Sequence, residues 1–65
     1  MKIIVNGEAI EIGAPTLAAL LHDLGKGEAK VATSVNEAFV PKQQRAGLAL
    51  QDGDRVEIVA PRQGG

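Results

Sequence analysis

The chemistry this sequence offers is gathered in its last four residues, Arg62-Gln63-Gly64-Gly65. They follow a strand-like run at 54–60 and a breaker, Pro61, after which nothing apolar remains to be buried. Glycine fixes no conformation and has no side chain to dock, so residues 62–65 are expected to form a flexible tail. Such a tail presents one reactive group, the α-carboxylate of Gly65, on a stalk without bulk. It suits a narrow channel in another protein, where any Cβ would clash.

Other constellations are absent from the sequence. It holds one histidine, His22, and no cysteine, so it has neither a thiolate nor a cluster of soft ligands for a metal. Asp52, Asp54 and Glu57 read as turn chemistry and a solvated strand face, not as a paired acid and base. Eight acidic against seven basic residues give a net charge of −1, and Phe39 is the only aromatic residue. That balance argues against nucleic acid, which calls for a basic stripe and stacking platforms. No apolar run approaches the length of a membrane span, and no signal peptide or lipidation motif is present, so a cytoplasmic protein with no membrane partner is expected. At 65 residues, 45% of them hydrophobic, the chain allows one aliphatic core and little room for a private active site. A carrier or binding role is expected, not an enzyme.

The elements that must position the tail can be read in order. Residues 1–6 alternate as a strand, and Asn6-Gly7 is a strong hairpin signal because both residues tolerate positive φ. Residues 8–12 return as a second strand. Gly13-Ala14-Pro15 breaks it, and Thr16 is placed to cap a helix whose Leu17, Leu20, Leu21 and Leu24 fall at i, i+3, i+4 and i+7. Gly25 is placed to end that helix. A third strand is expected at 31–36, where Thr33 sets a hydroxyl in an apolar row and needs a partner if buried. A turn at Asn36-Glu37 leads to a short strand at 38–40, a single turn of helix follows at 42–46, and Leu48 and Leu50 plug the core. Asp52-Gly53-Asp54 turns into the last strand, which the helical crossover allows to pair parallel with the first. The expected core is Ile3, Val5, Ile10, Leu17, Leu20, Leu21, Leu24, Val35, Leu50, Val56 and Ile58. Ile4 and Val59 point outward and are expected to lie side by side as a candidate partner patch.

These features together resemble the ubiquitin-like β-grasp family and, within it, the bacterial sulfur carriers of thiamine biosynthesis. The residues that carry the resemblance are Ile4-Val5-Asn6-Gly7-Glu8, Thr16-Leu17 with Leu20-Leu21 and Leu24-Gly25, Val35-Asn36, and Phe39-Val40-Pro41. At the end they are Leu50, the run from Asp52-Gly53-Asp54 to Val59, and Gln63-Gly64-Gly65. Glu37 and Lys42 depart from it, standing where Gly and Arg are expected. The resemblance implies an α+β fold, a β-grasp roll at residues 1–61 in which a mixed four- to five-stranded sheet grips one helix, with residues 62–65 as the tail.

The resemblance also implies a function. A ubiquitin-activating-like adenylyltransferase would join the Gly65 carboxylate to AMP, using ATP and Mg²⁺ that the carrier itself does not hold. A sulfur donor such as a cysteine desulfurase would then supply persulfide sulfur, and the resulting thiocarboxylate would pass to thiazole synthase. Gly64 would give clearance in the partner's channel, and Gln63 and Arg62 would dock the tail. Three alternatives share some of these features: a molybdopterin-synthase small subunit, a protein modifier that forms an isopeptide bond, and an interaction domain with an inert tail.

Overall fold

The computed structural model describes residues 1–27 and 29–60. Glu28, Pro61 and the expected tail at 62–65 lie outside the described residues.

Strand β1 (Lys2–Val5) turns through Asn6 and Gly7, at φ 50° and 84°, into the antiparallel β2 (Glu8–Glu11). Positive φ at both central residues is the signature of the type I′ hairpin. Helix α1 (Leu17–Asp23) starts at Thr16, whose extended backbone and Oγ1, accepting from the Ala19 amide at 3.2 Å, make the expected N-cap. It stops in a Schellman arrangement: Gly25 at φ 77° donates to the His22 carbonyl, and the Lys26 amide donates to the Leu21 carbonyl. That geometry makes Leu24 the C-cap, and Leu24 is exposed. The expectation that Leu24 continues the apolar stripe is therefore corrected, because the helix ends one residue too early to carry it inward.

Strands β3 (Ala32–Val35) and β4 (Ala38–Val40) form a second hairpin through Asn36 and Glu37, at φ 52° and 72°. A 3₁₀ helix at Lys42–Gly47 leads, through Leu48 and Leu50, to β5 (Arg55–Val59). The entry to α1 and the exit from the 3₁₀ helix are tied by backbone bonds, Leu17 N–H to the Leu48 carbonyl and Leu50 N–H to the Pro15 carbonyl. The sheet order is β2-β1-β5-β3-β4, with β5 parallel to β1 and antiparallel to β3. This is the expected mixed sheet on one helix, with five strands, each within a residue or two of its expected bounds.

The core holds Ile3, Leu17, Leu20, Leu21, Leu50, Val56 and Ile58 as expected, and Val5, Ile10 and Val35 pack against it half-buried. Ala14 and Val40 join them. Thr33 is buried and satisfied: its hydroxyl donates to the Val40 carbonyl at 2.9 Å and accepts from Arg45 Nε at 3.0 Å. Arg45 is itself buried, its Nη2 donating to the Val31 carbonyl at 2.6 Å.

Candidate functional site

β5 is the strand that leads to the tail, and it lies at the middle of the sheet. Alternation along it sends Val56 and Ile58 into the core and leaves Arg55, Glu57 and Val59 exposed on the opposite face. Register fixes their neighbours. Glu57 and Phe39 both lie opposite Ser34, which makes a row Phe39–Ser34–Glu57 across β4, β3 and β5. The next row places Val59 opposite Ala32. Phe39 and Val59 are 69% and 61% exposed, the two most open of the large apolar side chains, and between them lie only the small Ala32 and Ser34. The outward face thus carries two exposed apolar side chains, Phe39 and Val59, separated by small residues and flanked by the exposed Glu57.

The expected pairing of Ile4 with Val59 is corrected by this register. Ile4 lies opposite Arg55, so Val59 is four residues further along β5, about 13 Å away along the strand. Both residues share the outward face. Ile4 is half-buried beside Arg55, and the apolar neighbour nearest in character to Val59 is Phe39. The sequence identifies Phe39 as the only aromatic residue and as part of the family resemblance, but does not place it on the outward face. Its outward direction follows from two-residue alternation once Val40 is known to face inward.

The backbone of β5 is held at both ends by asparagine side chains. Asn36 Oδ1 accepts from the Arg55 amide at 3.0 Å, and its Nδ2 donates to Asp54 Oδ1 at 3.0 Å. Asn6 Oδ1 accepts from the Ile58 amide at 2.8 Å, and its Nδ2 donates to the Ile58 carbonyl at 3.1 Å. The acidic turn is ordered as well: Asp52 Oδ1 accepts from the Lys2 amide at 2.7 Å and Asp54 Oδ2 from the Gln51 amide at 2.8 Å. These carboxylates are engaged by backbone amides and, at Asp54, by the Asn36 carboxamide, which is the turn chemistry expected of them.

Arg62, Gln63, Gly64 and Gly65 lie outside the described residues. Among the described residues no group of three His, Asp or Glu side chains gathers as a metal site. His22 is exposed near the end of α1 beside a concavity lined by Ala18, Gly25, Gly27 and Ala29, none of which offers a second ligand. No helix among the described residues is long and apolar enough to cross a membrane.

Comparison with known proteins bears on the whole chain. A thiazole synthase of Paramagnetospirillum magneticum is 46% identical over 61 residues, which are 92% of this chain. The chain spans only 19% of that protein's length. The sulfur carrier protein ThiS of Escherichia coli is 33% identical over 66 residues, with all of both chains covered. The crystal structure of the thiamine biosynthesis protein ThiS from Geobacter metallireducens superposes with a TM-score of 0.83 at 28% identity, again over all of both chains. The model of the ThiS family matches residues 3–65, from the first core residue to the second terminal glycine, and with this sheet, this helix and this full-length match the chain belongs to the ThiS family.

Proposed function

We propose that this chain is a sulfur carrier of thiamine biosynthesis and that the carboxylate of Gly65 is where the sulfur is loaded. The observation that carries the reading is the family match over residues 3–65, which runs through Gly64-Gly65. A carboxylate is a poor acyl donor because oxide would have to leave. Its oxygen attacks the α-phosphorus of ATP on an adenylating partner, pyrophosphate departs, and the acyl adenylate now has AMP as leaving group. A persulfide sulfur from a donor such as a cysteine desulfurase attacks the acyl carbon and expels AMP. A thiol then attacks the donor sulfur of the acyl disulfide, which leaves the thiocarboxylate and a disulfide between that thiol and the donor cysteine. The chain is carrier and substrate in these steps, and ATP and Mg²⁺ belong to the partner.

Docking is assigned to the outward face, with Val59, Phe39 and Ile4 against the adenylating enzyme and thiazole synthase in turn, and Arg62, Gln63 and Gly64 guiding the tail. The similarity of this chain to a stretch of a protein named thiazole synthase supports that second partner.

The test is mass spectrometry of the intact protein after incubation with the cognate adenylating enzyme, ATP and a sulfur donor. The expected result is a mass increase equal to the exchange of oxygen for sulfur. Deleting Gly65 shortens the stalk by ~3.3–3.6 Å, and misplacing reacting atoms by even ~1 Å can slow a step ~10²-fold. The deletion and Gly64→Val are expected to suppress loading by at least that factor with the melting temperature unchanged. Normal loading of either variant would overturn the assignment of Gly65, and sulfur delivery to a molybdopterin precursor in place of thiazole would reassign the pathway.

A further inference from the structure

Asn6 places a side chain where a strand ought to continue. β1 and β5 pair with Ile4 opposite Arg55 and Val5 opposite Val56. The amides of Ile4 and Asn6 donate to the carbonyls of Asp54 and Val56, each at 2.9 Å. The next rung of this parallel ladder falls at Ile58, but β1 has by then turned away through Asn6-Gly7. The carboxamide of Asn6 fills the rung, accepting from the Ile58 amide at 2.8 Å and donating to the Ile58 carbonyl at 3.1 Å. One side chain thus supplies both the acceptor and the donor of a missing strand, in a part-buried setting where water competes poorly. On its other side the same stretch of β5 is paired to β3, Thr33 opposite Ile58 and Ala32 opposite Val59.

We propose that Asn6 is a positioning residue for the carrier chemistry: it keeps β5 paired on both sides as far as Ile58, and so presents Val59 and the root of the tail in a fixed attitude to the adenylating partner. The proposal rests on the sulfur-carrier reading above. Without the carboxamide, Ile58 is held from the β3 side only, and ordering it becomes part of the cost of capture by the partner. Ordering one further residue weakens capture by ~5- to 30-fold. Once the tail is seated, Gly65 reacts as before, so the effect falls on KM for the carrier and not on kcat.

Two substitutions separate the side chain from the turn. Asn6→Gly keeps the positive φ and removes the carboxamide. Asn6→Asp keeps the acceptor for the Ile58 amide and sets a carboxylate oxygen against the Ile58 carbonyl in place of a donor. Amide hydrogen exchange and ATP–pyrophosphate exchange with the cognate adenylating enzyme are measured on each, alongside Thr16→Ala, which weakens the α1 cap away from β5. In Asn6→Gly the Ile58 amide is expected to lose protection while Val56 keeps it, and KM is expected to rise ~5- to 30-fold with kcat unchanged. Asn6→Asp falls between this and the native protein, and Thr16→Ala keeps the native KM. Retained protection at Ile58, a native KM despite lost protection, or an equal rise in KM for Thr16→Ala each overturns the proposal alone. If the native protein supports no pyrophosphate exchange, the sulfur-carrier reading falls and takes the proposal with it.

Discussion

The turn at Asn6-Gly7 joins Val5 to Glu8, and the turn at Asn36-Glu37 joins Val35 to Ala38. Both are two-residue hairpins with positive φ at both central positions, and both open with an asparagine. In each the asparagine bonds a strand outside its own hairpin, and that strand is β5 in both cases. Asn36 holds its first residue, Arg55, and Asn6 holds Ile58 near its end. The second position differs. Gly7 meets its φ of 84° without steric cost, whereas Glu37 carries a Cβ at φ 72°.

The environments differ too. The bonds of Asn36 are exposed, and one of them goes to a side chain, Asp54. Those of Asn6 are part-buried, and both go to backbone. A hydrogen bond that excludes water resists exchange better than one that water can replace. The firmer grip therefore lies at the tail end of β5, and the looser one at the end that emerges from the acidic turn.

The largest effect expected on this arrangement comes from the packing beneath it. Ile58 is buried, and Ile58→Ala leaves both asparagines in place while removing the side chain that seats β5. It is expected to destabilise by about 2–5 kcal/mol, much of the stability of so small a domain. Chemical denaturation followed by circular dichroism measures it, and a loss no larger than that of Asn6→Ala would make the side-chain grips, not the core, the main support of β5. Asn6→Ala is expected to cost about 2–4 kcal/mol, from an alanine forced to positive φ and two lost bonds. Asn36→Ala is expected to cost about 1–3 kcal/mol, since water can take over its exposed bonds. The order of these two in one denaturation series decides whether the difference between the hairpins is real.

Much of this was legible because it is local. Asn6-Gly7, Thr16 and Gly25 each encode a backbone conformation by residue type, and the structure uses all three as expected. The fold followed from them together with strand alternation. What was not legible depends on contacts distant in sequence. The offset of Val59 from Ile4 is a matter of parallel register, which no short stretch encodes. Leu24 satisfies the leucine period, yet the cap at Gly25 ends the helix before the period can act. Arg45 is buried against Thr33 and Val31, an environment that its charge argues against until the partners are seen. Phe39 is a large apolar residue left outside, and only the inward commitment of Val40 reveals it. The two terminal glycines were legible as chemistry, and the outward face of β5 only as alternation.

The smallest effect is the sharpest test of the comparison, because it exchanges the one position at which the turns differ. A non-glycine residue in the left-handed region is disfavoured by roughly 1–2 kcal/mol, and glycine recovers part of that while adding about 0.5–1 kcal/mol of unfolded-chain entropy. Glu37→Gly is therefore expected to stabilise by about 0.5–1 kcal/mol. A Cβ added at Gly7 meets no atom within 4 Å, so Gly7→Glu is expected to suffer chiefly the conformational penalty and to destabilise by a similar amount. The pair of thermal melts should thus move in opposite directions from the native value, and the double variant should return close to it, since the two turns engage opposite ends of β5, at Ile58 and Arg55, and distant changes add. Were Glu37→Gly to destabilise, the Glu37 side chain would be making an interaction worth more than its strain, and the second hairpin would be a selected departure from the first instead of a tolerated one.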